Sequence, residues 1–359
     1  MIMRNLVSMS DITRERWDAL YSRCCDIISK PEEYIDSCRG KVLSTLFFEP
    51  STRTNFSFQT AMMRLGGSVF GFSDPMGTSV AKGETLADTI RITASYSDTI
   101  VMRSPLEGAA AAAALYSHVP IINAGDGGRH HPTQTLTDLT TIAQKRGKIG
   151  DFSIGLCGDL KYGRTVHSLV EALSLFTGIH FYLISPHELR MPDYHLDSMR
   201  HNGQDYTETE HLAQILPELD ILYMTRVQRE RFRDAKQYER LRGFYVLNRE
   251  LLNTAQPDML LMHPLPRQSE ISPDVDSDPR AVYFEQARYG MFIRMALLHN
   301  FVHQPRIAPP ALSVSPLAAP CRNPVCVTQT EAYLPPLNRD ENSVTRCKYC
   351  DEEIRWDIL

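Results

Sequence analysis

The sequence predicts an α/β protein: two doubly wound parallel-sheet domains and a small cysteine-rich module at the C-terminus. Three observations predict it. Short apolar runs alternate with helix-like runs from about residue 41 to 300, the pattern of layered α/β folds with parallel sheets. A proline-rich stretch breaks that pattern after Val302. Four of the 8 cysteines then crowd into residues 321–359. At roughly 150 residues per domain, a chain of 359 residues holds two domains and an appendage.

The elements follow in order. KVLSTLFFE (41–49) reads as a strand, and Phe56, Met62 and Leu65 give an apolar stripe to the helix after it. Gly66-Gly67 supplies that helix with a C-terminal stop. DTIVMR (98–103) and PIINAG (120–125) are short buried strands, and Pro132 is a plausible first helical residue. DFSIGLCGD (151–159), HFYLIS (180–185), DILYMT (220–225), YVLN (245–248) and MLLMHP (259–264) continue the strand series. Val166, Leu169, Val170 and Leu173 form a helical stripe between two of them. HQPRIAPPALSVSPLAAP (303–320), with five prolines and no period, is a semi-rigid linker.

Composition excludes several classes. Hydrophobic residues make up 43% and charged residues 23%, as in ordinary globular proteins. The net charge of −5 argues against a general nucleic-acid or membrane-surface binder. The longest apolar run, Ala109 to Tyr116, is far short of the ~20 residues of a membrane span. The start, MIMRNLVSMS, lacks a signal-peptide core, so a cytoplasmic location is expected. There is no Walker A loop, G-x-S-x-G, H-E-x-x-H or G-x-G-x-x-G.

What stands out is a set of polar residues at element ends. In FFEPSTRTNFSF (47–58) a strand gives way to a helix whose first residues are Ser51, Thr52, Arg53 and Thr54. A helix N-terminus offers free N–H groups and a positive dipole end, and hydroxyls with a guanidinium complete an anion cradle. A capping hydroxyl alone would be unremarkable, but capping does not call for the arginine. Arg103 ends DTIVMR, and His131 and Gln134 are three apart on HPTQTLTDLTTI. Arg164 follows GDLKYG, Arg226 and Gln228 follow DILYMT, and His263 and Arg267 bracket P-L-P. In open α/β sheets ligands bind beyond the carboxyl ends of strands, so this placement implies more than one anionic ligand.

Together these segments resemble the catalytic chain of the aspartate carbamoyltransferase family, over roughly residues 5–302. The resemblance rests on F-E-P-S-T-R-T (48–54), K-G-E-T-L-A-D-T (82–89), V-M-R (101–103), N-A-G-D-G with H-P-T-Q-T-L-x-D-L (123–139), G-D-L-K-Y-G-R-T-V-H-S-L (158–169), D-I-L-Y-M-T-R-V-Q (220–228) and H-P-L-P-R (263–267). The sister ornithine family shares S-T-R-T and H-P-T-Q. It carries H-C-L-P where this chain reads His263-Pro264-Leu265-Pro266, and it lacks T-R-V-Q.

The resemblance implies transfer of the carbamoyl group of carbamoyl phosphate to the amine of L-aspartate, in pyrimidine biosynthesis. The competing expectations are an inactive scaffold of the same fold or a carbamoyltransferase with another amine acceptor. The acyl phosphate is already activated, so the chemistry needs no metal and no covalent nucleophile. By resemblance, residues 1–135 with a returning helix 286–302 bind carbamoyl phosphate, and residues 136–285 bind aspartate. Ser51, Thr52, Arg53, Thr54 and Arg103 would hold the phosphate. Thr54, Arg103 and His131 would face the carbonyl oxygen, and Gln134 the carbamoyl nitrogen. Arg164, Arg226 and Gln228 would take the aspartate carboxylates, with Pro264 and the Leu265 backbone orienting the amine. Ser79 and Lys82 resemble residues lent by a neighbouring subunit, which implies a homotrimer or a dimer of trimers with shared sites. Glu49 resembles a carboxylate that pairs with arginines such as Arg164 on closure. Asn55 stands where the family often has arginine, and S-V-A-K (79–82) is one residue shorter than in some members.

In the tail (321–359), Cys321-x4-Cys326 and Cys347-x2-Cys350 have the spacing of a four-thiolate zinc site. Two disulfides or free thiols are the alternative. A tail this short cannot hold itself together by burial, and a metal would supply its folding free energy. C-R-N-P-V-C with C-K-Y-C resembles the zinc domain of the regulatory chain of the same enzyme, without the larger effector-binding domain. Nucleic acid is not an expected partner, since five Lys/Arg in the tail face seven Asp/Glu.

Overall fold

The computed structural model describes residues 3–227, 232, 234–309, 319–341 and 344–354. Two compact units divide the chain, residues 1–133 with 291–359 and residues 134–290. In the first, β1 (Val42–Phe47), β2 (Ser68–Phe72), β3 (Thr99–Ser104) and β4 (Ile121–Asp126) form a parallel sheet in the order β2-β1-β3-β4. In the second, β5 (Phe152–Cys157), β6 (Ile179–Ile184), β7 (Asp205–Thr209), β8 (Ile221–Met224) and β9 (Leu260–Met262) run parallel in the order β7-β6-β5-β8-β9. Both are doubly wound α/β sheets, as the sequence predicts. A small antiparallel pair, β10 (Asn338–Glu341) and β11 (Val344–Cys347), lies in the tail.

Strands β1, β3, β4, β5 and β8 are almost wholly buried, which is why they read as apolar runs. The edge strands β2 and β7 are largely exposed, and the sequence reading passed over both. β7 (DYTET) is mostly polar and β2 (SVFGF) is short and interrupted by Gly71, so neither stands out as an apolar run. YVLN (245–248) does not form the expected strand. Leu247 makes a single bridge to Ile271, because Asn248 already caps the next helix through Leu251 N at 2.8 Å.

The helices between strands are α1 (Arg14–Ser29), α2 (Thr52–Arg64), α3 (Leu86–Tyr96), α4 (Ala109–Ala114), α5 (Pro132–Arg146), α6 (Arg164–Leu173) and α7 (Asp193–His201). On α2 the buried side is Asn55, Phe58, Ala61 and Met62, continued by Leu65. Phe56, expected on the apolar stripe, is 61% exposed, because it lies about 120° around the helix from Met62. Further along come α8 (Leu212–Ile215), α9 (Ala235–Leu241), α10 (Arg249–Leu252), the 20-residue α11 (Tyr283–Val302) and α12 (Val327–Thr330). Among the described residues no helix is long and apolar enough to cross a membrane.

Candidate functional sites of the two units

In each sheet the strand order reverses once, between β1 and β3 and between β5 and β8. Connections on either side of such a point leave in opposite directions, opening a crevice at the strand carboxyl ends.

In the first unit, Ser51 precedes α2 and makes no capping hydrogen bond with its side chain. The first bond of the helix runs from Asn55 N to Ser51 O at 3.1 Å. The N–H groups of Thr52, Arg53 and Thr54 therefore have no carbonyl one turn back within the helix. Arg103, next to last in β3, lies beside this turn, with Phe48 N donating to Arg103 O at 2.8 Å. Its guanidinium pairs with Glu49 at 2.7 Å and donates to Ala124 O at 3.2 Å. Burial lowers the Arg103 pKa, Glu49 opposes that, and the positive charge of Arg53 lowers it further. Two guanidiniums beside a helix N-terminus make this crevice favourable for an anion.

His131 is buried and follows a turn held by Asp126. The Asp126 carboxylate accepts from His130 N at 3.1 Å, Asn123 Nδ2 at 3.0 Å and Gly108 N at 3.0 Å. Ser79 and Lys82 are exposed on a single helical turn, Ser79–Lys82. Among the described residues no hydrogen bond or ion pair links either side chain to Ser51–Thr54 or Arg103.

In the second unit Arg164 opens α6 after β5, and Arg226 follows β8. The strand ends are tied by Thr225. Its N–H and hydroxyl both donate to Cys157 O, at 2.8 and 3.0 Å, and its Oγ1 accepts from Asp159 N at 3.0 Å. Gly158 (φ 120°) permits this approach, since a Cβ there would lie 2.4 Å from Thr225 O. Gln228 lies outside the described residues.

After β9, His263 donates from Nε2 to Glu270 at 2.8 Å and accepts on Nδ1 from Leu265 N at 2.8 Å. Those partners fix the neutral tautomer. Burial lowers the His263 pKa against the pull of Glu270. Burial raises that of Glu270, but the bonds it accepts, led by His263, outweigh it and hold the carboxyl low. Leu265 sits at φ 54°, a left-handed conformation that a leucine adopts only when its surroundings impose it.

Gln134 Nε2 donates to Asp138 at 2.8 Å, an i,i+4 pair on α5. Asp138 and Glu270 were missed by the sequence reading. The four-residue spacing from Gln134 was the available signal for Asp138, and Glu270 had none.

The four tail cysteines are buried, unbridged, and have sulfurs all within 4.8 Å of one another. A zinc tetrahedron with bonds of about 2.3 Å has edges of about 3.8 Å, so the cluster has the size of a metal site. Its chain packs on the first unit. Cys321, Cys326, Val327, Leu334, Tyr349 and Ile354 share one apolar core with Leu86, Ile90, Met102 and the alanines of α4. Glu331 Oε1 and the Tyr333 hydroxyl accept the first N–H groups of α3, Leu86 N at 3.1 Å and Ala87 N at 2.9 Å. Asp351 accepts from Arg129 Nε at 2.6 Å and lies 3.4 Å from His130 Nε2. Glu331, Tyr333 and Asp351 carried no sequence signal.

Comparison with known proteins gives these sites a context. The aspartate/ornithine carbamoyltransferase carbamoyl-P binding domain matches residues 4–144, and the Asp/Orn binding domain of the same family matches residues 150–301. The aspartate carbamoyltransferase catalytic subunit of Clostridium novyi is 55% identical over 295 residues, 82% of this chain and 96% of that protein. That of Clostridium acetobutylicum is 51% identical over 296 residues, again 82% and 96% of the two chains. The solved catalytic subunit of M. jannaschii aspartate transcarbamoylase is 46% identical with a TM-score of 0.78, covering 84% of this chain and 98% of that one. The Trypanosoma cruzi aspartate transcarbamoylase, solved with N-(phosphonacetyl)-L-aspartic acid, is 40% identical with a TM-score of 0.79, over 83% and 96% of the chains. The chain belongs to the aspartate/ornithine carbamoyltransferase family.

Proposed function

We propose that this chain is an aspartate carbamoyltransferase, forming N-carbamoyl-L-aspartate and phosphate in pyrimidine biosynthesis. The observation that carries the reading is the pairing of Arg53 and Arg103 at the N-terminus of α2, at the reversal point of the first sheet. That unit takes carbamoyl phosphate: Ser51, Thr52, Arg53, Thr54 and Arg103 hold the phosphate. The amine of aspartate attacks the carbonyl carbon, and the carbonyl oxygen becomes an oxyanion. Thr54, Arg103 and His131 stabilise that charge, and the arginines stabilise the departing phosphate. Gln134 takes the carbamoyl nitrogen. Arg164, Arg226 and Gln228 bind the two carboxylates of aspartate, with Pro264 and Leu265 orienting the amine. Ser79 and Lys82 serve a neighbouring subunit's site, so the working form is a homotrimer or a dimer of trimers in the cytoplasm.

The tail is a structural zinc module held by Cys321, Cys326, Cys347 and Cys350, similar to the zinc domain of a regulatory chain but carried on the catalytic chain. Zinc supplies folding free energy there and takes no part in the transfer.

Side-by-side assays with carbamoyl phosphate and either aspartate or ornithine test the reading. Carbamoylaspartate should form and citrulline should not. Citrulline formation would move the chain to the ornithine branch, and no product with either amine would make it a scaffold.

A further inference from the structure

His263 and Arg267, which the sequence offers to an anionic ligand, have no part in the chemistry above. Both are engaged within the second unit. Arg267 forms a two-pronged ion pair with Asp276 and donates to the Tyr283 hydroxyl at 2.9 Å. His263 is 1% exposed and both of its ring nitrogens are used: Nε2 donates to Glu270 and Nδ1 accepts from Leu265 N, each at 2.8 Å. Its own backbone N–H donates to Gln286 Oε1 at 3.0 Å. Glu270 is buried too, and it accepts from Gln268 N at 3.1 and 3.2 Å.

An ionised carboxylate has no proton to give, so it draws the imidazole proton to Nε2 and leaves Nδ1 bare. The bare nitrogen takes the N–H of the residue two further on and closes a turn. Leu265 sits at the end of that turn at φ 54°, a region a leucine leaves unless its partners hold it. Without the bond to Nδ1 the residue is free to return to negative φ, and both peptide groups beside it swing. We propose that His263 is a positioning residue: its Nδ1 locks the Leu265 backbone in the conformation that orients the attacking amine, and Glu270 selects the tautomer that does so. The inference rests on the proposed carbamoyl transfer and gives a role in it to two residues that touch no ligand.

The test divides the two ring nitrogens between two full-length variants. His263→Asn carries an oxygen where the ring has Nδ1 and still accepts from Leu265 N, but falls short of Glu270. His263→Gln carries an NH2 where the ring has Nε2 and still donates to Glu270, but offers Leu265 N nothing. In His263→Gln the KM for aspartate should rise about 10-fold or more, the size expected for an N–H left without its acceptor. In His263→Asn it should stay within about threefold, because the acceptor two residues before Leu265 survives. Binding of inorganic phosphate, taken by the first unit and measured by calorimetry, should be unchanged in both. A role limited to filling the core and pairing Glu270 predicts the reverse order, with Gln the better replacement. That order, or equal KM values, would overturn the proposal. If either variant fails to fold or loses phosphate binding, nitrogen NMR of histidine-labelled wild type decides. A ring with its proton on Nε2 and Nδ1 bare at neutral pH supports the assignment, and a proton on Nδ1 overturns it. Wild-type protein that forms no carbamoylaspartate would defeat the transferase reading; an active wild type with the reverse order of variants would defeat only the role of His263.

Discussion

Arg53 is exposed at the start of α2, where a structural role would be modest. Burial lowers the pKa of Arg103 and the nearby charge of Arg53 lowers it further, a repulsion that a bound anion would relieve. Arg53→Ala removes a main electrostatic stabiliser of the departing phosphate and should cost about 10³ or more in turnover, with the melting temperature little changed. Arg53→Lys should recover only part, because an ammonium does not offer two parallel donors to a phosphate. Steady-state rates on the two variants check this, and near-normal turnover in Arg53→Ala would remove the phosphate corner from the proposal. Glu49 adds a detail the sequence reading did not contain. Expected to meet arginines such as Arg164, it pairs here with Arg103. A carboxylate that neutralises Arg103 in the absence of ligand must give way to the phosphate, so Glu49→Gln should tighten phosphate binding, measured by calorimetry.

The strands that shape both crevices could be read from sequence because parallel strands buried on both faces are mostly apolar. What could not be read were β2 and β7, whose exposed faces leave a mixed pattern, and the rotation of α2 that buries Phe58 in place of Phe56. Side-chain partners were harder still. Glu270 lies seven residues from His263 across a turn, and Asp351 lies 222 residues from Arg129; no local period joins such pairs. Helix α11 carries a further consequence of burial. His299 packs edge-on to Tyr34, and its pKa is pushed down to about 4 by burial, with Arg23 and His303 acting the same way. In the unfolded chain the same histidine titrates near 6.5. The unfolded state therefore binds the extra proton first, and the stabilisation present above about pH 6.5 is lost as pH falls toward 4. His263, also lowered, adds to the same window. Carboxylates such as Asp278, held at about 2 by its bonds to Arg280, act only below about pH 4. Urea midpoints should thus decline between pH 7 and 4, and less steeply in His299→Gln. An equal slope in that variant would mean that His299 is protonated when folded.

The tail alters how the first unit is built. Without it, Leu86, Ile90, Met102 and α4 would lose part of their common core. The tail comes close to the start of α4 as well: a Cβ on Gly108, at φ 81°, would lie 2.4 Å from Tyr349 O. The tail also grips two segments that lead into proposed site residues, the start of α3 just after Lys82 and the Arg129–His130 turn just before His131. A module of 39 residues, with two short strands and one turn of helix among its described residues, cannot supply such a grip by burial alone. The proposed zinc would couple metal binding to the order of the first unit. The purified chain should carry one zinc per molecule by atomic absorption. Stripping it with a chelator should make Cys321, Cys326, Cys347 and Cys350 reactive to a thiol reagent, lower the melting temperature and raise the KM for carbamoyl phosphate. Returning zinc should reverse all three. Asp351→Ala separates the metal from the grip: zinc should stay at one per chain while the KM rises. If chelated protein keeps its melting temperature and KM, the tail is a passenger on the catalytic fold. If Asp351→Ala loses zinc as well, the carboxylate serves the metal site and does not transmit it to the turn before His131.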